Sequence, residues 1–138
     1  MIAVFDIDGV LADASHRQHF VESRPKDWDA FFAAVGDDAV IERGVALLRE
    51  YQQRDRIVLL SGRPERTRAD TQAWLERNGI VVERLVLRGD RDFRSAGVAK
   101  AALVHGIGDP AEVSIVVDDD ENVVESLTAL GYAARVFR

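Results

Sequence analysis

The sequence predicts an α/β fold in which a parallel sheet lies between two layers of helices. Three observations predict it. Short apolar runs recur at residues 2–5, 57–60, 85–87, 114–117 and 133–137. Helical periodicities separate most of them. The runs are apolar without a break, as in strands covered on both faces; a half-solvated antiparallel sheet would alternate.

The elements follow in order. The first run, 2–5, leads straight into Asp6-Ile7-Asp8-Gly9. Residues 12–39 then break the rhythm, with Arg24-Pro25, Trp28, Phe31, Phe32 and Gly36-Asp37-Asp38. They read as a small insertion, one or two short helices over the carboxyl edge of the sheet, too short for a second domain. Ile41, Val45, Leu48 and Tyr51 repeat at helical spacing. The second run, 57–60, ends in Ser61-Gly62-Arg63, after which Pro64 is placed to open a helix that Asn78-Gly79 ends. The run 85–87 precedes a helical stretch over 96–105. The run 114–117 ends in Asp118-Asp119-Asp120. Residues 121–130 form a further helix, with Val123, Leu127 and Leu130 on one face and Gly131 as its stop. With no repeat, linker or low-complexity segment, residues 1–138 read as one domain.

Composition narrows the function. The chain is 47% hydrophobic, enough for a well-buried core, and has no apolar stretch of membrane-spanning length. Its start enters a strand pattern without a basic region or signal core, which predicts a cytoplasmic protein. It has no cysteine, so disulfides, thiol catalysis and cysteine-held zinc are excluded. Any metal must use oxygen or histidine ligands. The net charge is -6, from 18 basic and 24 acidic residues, which argues against broad nucleic-acid binding but allows a local basic pocket. Lys26 and Lys100 are the only lysines; the other basic residues are arginines, suited to bidentate contact with phosphate.

The chemistry concentrates at strand ends. Ligands of open α/β sheets bind outside the carboxyl ends of the strands, where the strand order reverses. If the first and fourth strands are neighbours there, Asp6, Asp8, Asp118 and Asp119 converge, with Ser61 bordering the crevice. Such carboxylates repel one another unless a cation or a proton lies between them. Magnesium takes carboxylate and phosphate oxygens, so the pattern fits a magnesium-dependent phosphoryl-transfer centre. Asp6 and Asp8 are two apart on an extended segment and could share a face. Asp-Gly also marks plain turns, and Ser61 could equally cap the following helix. Lys100 stands in an apolar helical stretch, either as a surface lysine or beside the carboxylates. His16 and His19 could touch a leaving group or simply lie on the surface. Phe20, Trp28, Phe31 and Phe32 could stack on a base or fasten the insertion.

Asp6-Ile7-Asp8-Gly9-Val10, Ser61, Lys100 and Asp118-Asp119, in that order, resemble the four motifs of the haloacid dehalogenase superfamily, across almost the whole chain. Arg17, the run Leu60-Ser61-Gly62-Arg63, and Arg88, Asp92 and Arg94 ahead of Lys100 resemble more narrowly the 3′-phosphatase domain of phage polynucleotide kinase. Val10, Ala96 and Asp120 depart from that pattern, where threonine, an acidic residue and arginine are usual. The resemblance implies a Rossmann-like three-layer sheet and a phosphomonoesterase that passes through an aspartyl-phosphate. It implies Asp6 as nucleophile, Asp8 as acid and base, and Ser61 and Lys100 on the phosphate oxygens. Mg2+ would be held by Asp6, Asp8 through its carbonyl, Asp118 and Asp119. Arg17, Gly62, Arg63, Arg88 and Arg94 would contact substrate, a nucleotide or oligonucleotide 3′-phosphate. Small sugar phosphates are the alternative, and a receiver-like phospho-acceptor domain is the non-enzyme one. No obligate protein partner is evident.

Overall fold

The apolar runs become the strands of one sheet. The computed structural model describes residues 1–138. After β1 (Ile2–Phe5) come β2 (Ala12–Asp13), α1 (His19–Glu22), α2 (Trp28–Ala33) and β3 (Ala39–Val40). Then α3 (Glu42–Gln52), β4 (Arg56–Pro64), α4 (Arg68–Arg77), β5 (Arg84–Arg88), α5 (Ala96–Ile107), β6 (Val113–Asp118), α6 (Glu121–Ala129) and β7 (Ala134–Val136) alternate. The sheet order is β5-β4-β1-β6-β7, and every neighbouring pair is parallel. The predicted α/β class is therefore the observed one. The chain leaves β1 toward one edge through β4 and β5, then returns to build the other side with β6 and β7. Its order thus reverses beside β1, where Phe5 lies level with both Leu59 and Val117.

Strand residues alternate between two cores, as the pleat requires. Ala3, Phe5, Ile57, Leu59 and Val117 pack with Val45 and Leu48 of α3 and with Trp74 and Leu75 of α4. Val4, Leu60 and Val116 point the other way, onto Val104 of α5 and Val123 and Leu127 of α6. Both faces are thus covered, which is why the strand sequences show no polar alternation. Gly44 allows α3 to sit this close, because a Cβ there would stand 1.6 Å from the Val10 carbonyl oxygen.

The insertion is closed by a short antiparallel pairing, Ala12 with Val40 and Asp13 with Ala39. Two residues per strand are too few to leave a pattern in the sequence. The fully buried Trp74 indole donates to the Asp38 carbonyl at 2.7 Å and fastens the insertion to α4. The other departure concerns Ser61-Gly62-Arg63. The apolar pattern predicts that the run ends at residue 60 and that Pro64 opens the helix, yet β4 continues to Pro64, with a register shift against β5. A short 3-10 turn follows, in which the Thr67 hydroxyl donates to the Pro64 carbonyl at 2.8 Å, and α4 starts at Arg68. No helix is long and apolar enough to cross a membrane.

Candidate active site

β1 and β6 deliver carboxylates to one spot. The Asp6 amide donates to the Val117 carbonyl at 2.9 Å, so the two strands still run together where their acidic residues begin. Asp6, Asp118 and Asp119 each bring an oxygen within 4.8 Å of the others. Asp6 and Asp118 are buried; Asp119 is exposed. Lys100 reaches in from α5, with its Nζ 2.6 Å from Asp118 Oδ2 and 3.0 Å from Asp6 Oδ1.

One ammonium does not balance three carboxylates. Burial, and then the charges of Asp118, Asp8 and Asp119, push the Asp6 carboxyl well above its ordinary range; Lys100 offsets part of this. Burial and Asp118 likewise raise Asp119. Burial alone would lower the Lys100 pKa, but Asp6 and Asp118 outweigh it and keep the ammonium charged. The donors are all hard oxygens, and the charge they leave over is negative. That set fits a hard divalent cation such as Mg2+. Gly9 makes the cluster possible. Its φ is +83°, and a Cβ there would stand 1.9 Å from Asp119 Oδ2.

Asp8 faces the same cleft but is held differently. Arg17 Nη2 and Arg63 Nη2 each donate to its Oδ1 at 2.8 Å, and Arg63 Nε donates to its Oδ2 at 3.2 Å. The fully buried Asp38 carboxylate holds both arginines from behind, at 2.8 Å from Arg17 and 2.9 Å from Arg63. Burial alone would lower the Arg17 pKa; its bonds to Asp38 and the Asp8 charge raise it instead. Two guanidiniums and two carboxylates thus form a closed set in which each charge has a partner. The arrangement offers a buried carboxylate beside a fixed cation and a second carboxylate locked at the cleft wall. Such a site can run nucleophilic attack at Asp6 with acid–base help from Asp8.

A profile of the polynucleotide kinase PNKP phosphatase domain matches residues 1–135. The chain belongs to that family. It is a phosphatase domain of the haloacid dehalogenase class. No curated protein sequence matches it significantly. Among solved structures, it is similar to a chain of the Pnkp1/Rnl/Hen1 complex, at 22% identity and a TM-score of 0.78, covering 99% of this chain and 45% of that one. The chain spans less than half the length of that relative. It is also similar in fold to the haloacid dehalogenase-family enzyme bt-2542 of Bacteroides thetaiotaomicron, a complex with magnesium and inorganic phosphate. There the identity is 13% and the TM-score 0.62, over 99% of this chain and 93% of that one. L-2-haloacid dehalogenase from Xanthobacter autotrophicus is a third, at 14% identity and a TM-score of 0.67, over 96% and 75%.

In this phosphatase domain the other residues named from the sequence fall into distinct places. Ser61 is fully buried inside β4; its Oγ accepts the Arg63 amide at 3.1 Å, which leaves its hydroxyl hydrogen to donate. Arg17 and Arg63, read from the sequence as substrate contacts, have no exposed side-chain surface and are bound to Asp8 and Asp38. The reason is the insertion, which lays Asp38 behind them. Gly62 lines the carboxylate cleft and also a neighbouring cavity that holds Arg88 and Arg94. Both arginines are anchored by Asp92, Arg94 through two bonds of 2.9 and 2.7 Å and Arg88 at 3.6 Å.

The ambiguous residues also resolve. His16 Nε2 lies 2.6 Å from Asp38 Oδ1 and so joins the arginine network. His19 packs on the Phe20 ring. Asp120 caps α6 by accepting the Asn122 amide, and Ala96 lines the cleft. Phe31 lies under the Arg17 guanidinium, 4.4 Å from ring centroid to Cζ, while Trp28 and Phe32 reach the Arg88 cavity. Asp38 is the functional residue sequence reasoning missed. It stands among acidic residues of an insertion, and only its burial against two arginines distinguishes it.

Proposed function

We propose that residues 1–138 work as one cytoplasmic Mg2+-dependent phosphomonoesterase domain acting through an aspartyl-phosphate on Asp6, with a nucleotide or oligonucleotide 3′-phosphate as substrate. The observation that carries the reading is the clustering of Asp6, Asp118 and Asp119 around Lys100, with Asp8 fixed on the cleft wall beside them.

The Asp6 carboxylate attacks phosphorus; a bond forms from its oxygen to phosphorus, and the bond to the leaving alkoxide breaks. Asp8 enters this step protonated and gives that alkoxide its proton, leaving the carboxylate that Arg17 and Arg63 hold. It then takes a proton from the water that attacks the aspartyl-phosphate, which frees Asp6 and releases phosphate. Arg17 and Arg63 hold Asp8 in line for both transfers. Lys100, which lines the cleft, binds the non-bridging oxygens, where charge gathers in the transition state; Ser61 stands behind it, buried in β4. Asp6, Asp118 and Asp119, with the Asp8 carbonyl, would hold Mg2+, which supplies charge neutralisation for a dianionic phosphate.

Membership of the polynucleotide kinase phosphatase family and the arginine cavity beside the cleft favour a nucleic-acid end over a sugar phosphate. The test is phosphate release from 3′-phosphorylated oligonucleotides, 3′- and 5′-mononucleotides and sugar phosphates, with and without Mg2+. Asp6→Asn is expected to abolish turnover at unchanged melting temperature. Retained activity above a few per cent would remove the covalent mechanism.

A further inference from the structure

We propose that the cavity beside the carboxylate cleft is a nucleobase pocket, in which Trp28 and Phe93 hold the base of a nucleotide whose 3′-phosphate lies at Asp6. The inference rests on the phosphatase reading above and adds what selects the substrate.

The cavity has a volume of about 380 Å3 and is walled by Trp28 and Phe32 of α2 and by Arg66, Arg88, Phe93 and Arg94. It opens toward the cleft across Gly62, which lines both spaces. A Cβ at Gly62 would meet nothing within 4 Å, so the junction is free. Two aromatic rings on this wall stay in water: Phe93 is 88% exposed and Trp28 47%. Phe93 belongs to neither apolar core and pairs with no other ring, so folding gives it no partner. Trp28 is supported from behind, stacked on Phe32 at 24° between planes. Large aromatic surface left uncovered beside a polar cavity marks a binding site.

Charge identifies the ligand. Arg66, Arg88 and Arg94 face Asp90 and Asp92 in the lining, which leaves the cavity one positive charge on a chain of net charge -6. Asp92 and Asp90 also brace this wall: Asp92 holds Arg94 and Arg88, and Asp90 accepts the Arg66 amide at 2.9 Å. Aromatic faces next to braced guanidiniums suit a flat base attached to an anion, because every base has a π-face to stack. A sugar phosphate has no such face and gains nothing here.

The experiment reads binding directly. Asp6→Asn with Mg2+ is titrated with a nucleoside 3′-monophosphate, with deoxyribose phosphate lacking a base, and with inorganic phosphate, while tryptophan fluorescence is followed. Trp28 is the reporter; the only other tryptophan, Trp74, is fully buried with its indole bonded to Asp38, and serves as a constant background. Expected is saturable quenching by the nucleotide alone, with affinity about tenfold weaker in Phe93→Ala, the scale of one base stacked on one aromatic ring. Trp28→Phe should remove the signal and keep the affinity measured by calorimetry within a few-fold. Equal affinity for the nucleotide and the base-free phosphate, or nucleotide affinity indifferent to Phe93→Ala, would overturn the pocket. Turnover of p-nitrophenyl phosphate by the unaltered chain judges the phosphatase reading separately. If that ester is cleaved without any discrimination for a base, the pocket falls and the phosphatase stands. Base-dependent quenching without turnover of any ester supports the pocket and removes the phosphatase reading.

Discussion

Replacing Gly9 with alanine isolates what keeps Asp119 in the proposed metal-binding set. Two separate costs follow from the geometry. Left-handed backbone, here φ +83°, costs a residue with a Cβ about 1–2 kcal/mol. In a chain of this length that lowers the melting temperature by roughly 3–10 °C. The second cost falls on the site. The new methyl would stand 1.9 Å from Asp119 Oδ2 and 2.4 Å from its Cγ, so the carboxylate must swing aside. Its oxygen then leaves the group within 4.8 Å of Asp6 and Asp118. Displacing one group that supports a metal weakens affinity by roughly 10- to 100-fold. The assay is the Mg2+ concentration giving half-maximal phosphate release, with melting temperature read in parallel. The same change in an Asp119→Ala background separates the two costs. There the collision is gone, so Gly9→Ala should lower stability again but leave the Mg2+ requirement where Asp119→Ala put it. An equal shift in Mg2+ requirement in both backgrounds, or none in the parent, would refute the collision.

Three further expectations follow. Arg63→Ala leaves the buried Asp38 carboxylate short of a partner and should cost about 3–5 kcal/mol, whereas Glu65→Ala, which breaks a solvated pair with Arg68, should cost less than about 1 kcal/mol; chemical denaturation compares the two. Mg2+ should raise the melting temperature more at pH 7.5 than at pH 5. In the metal-free protein Asp6 and Asp119 have raised pKa values, so their contribution to stability is present at low pH and lost as pH rises through those values, the loss that a dication reverses. An equal or larger Mg2+ effect at pH 5 would contradict this. Arg88→Ala and Arg94→Ala should lower turnover of a 3′-mononucleotide several-fold more than turnover of p-nitrophenyl phosphate, and kcat/KM for both esters tests it; equal losses would make these arginines structural.

What the sequence disclosed is set by local pattern, and what it hid is set by contacts that local pattern does not carry. Asp6, Asp118 and Lys100 could be read because each stands at a strand end or on a helix whose pattern is local, and the sheet order does the rest. The insertion could be located but not drawn, since its hairpin pairs only two residues on each side. The roles of Arg17 and Arg63 were hidden for a different reason. What they touch is decided by Asp38, 21 and 25 positions away in the chain, and no spacing rule reaches that far. Read locally, the second strand ends at residue 60 and Pro64 opens the helix, because local propensity favours that, while pairing with β5 carries the strand on to Pro64. Phe93 gave no signal at all, since an exposed aromatic acquires meaning only from the cavity beside it.

The fastening of the insertion reaches past architecture. Its Asp38 backbone is tied to Trp74 and its side chain to the two arginines that set Asp8. The segment that shapes entry to the site is therefore also the segment that aims the proposed acid. In many scaffolds a cap can be exchanged like an attachment, altering what is admitted and sparing what is done to it. Here the two are mechanically one part. A recombinant chain that replaces residues 12–39 with a larger or smaller cap must supply both a guanidinium in the place of Arg17 and a buried carboxylate behind it and Arg63. Without both, a redesign of selectivity would arrive as a loss of rate.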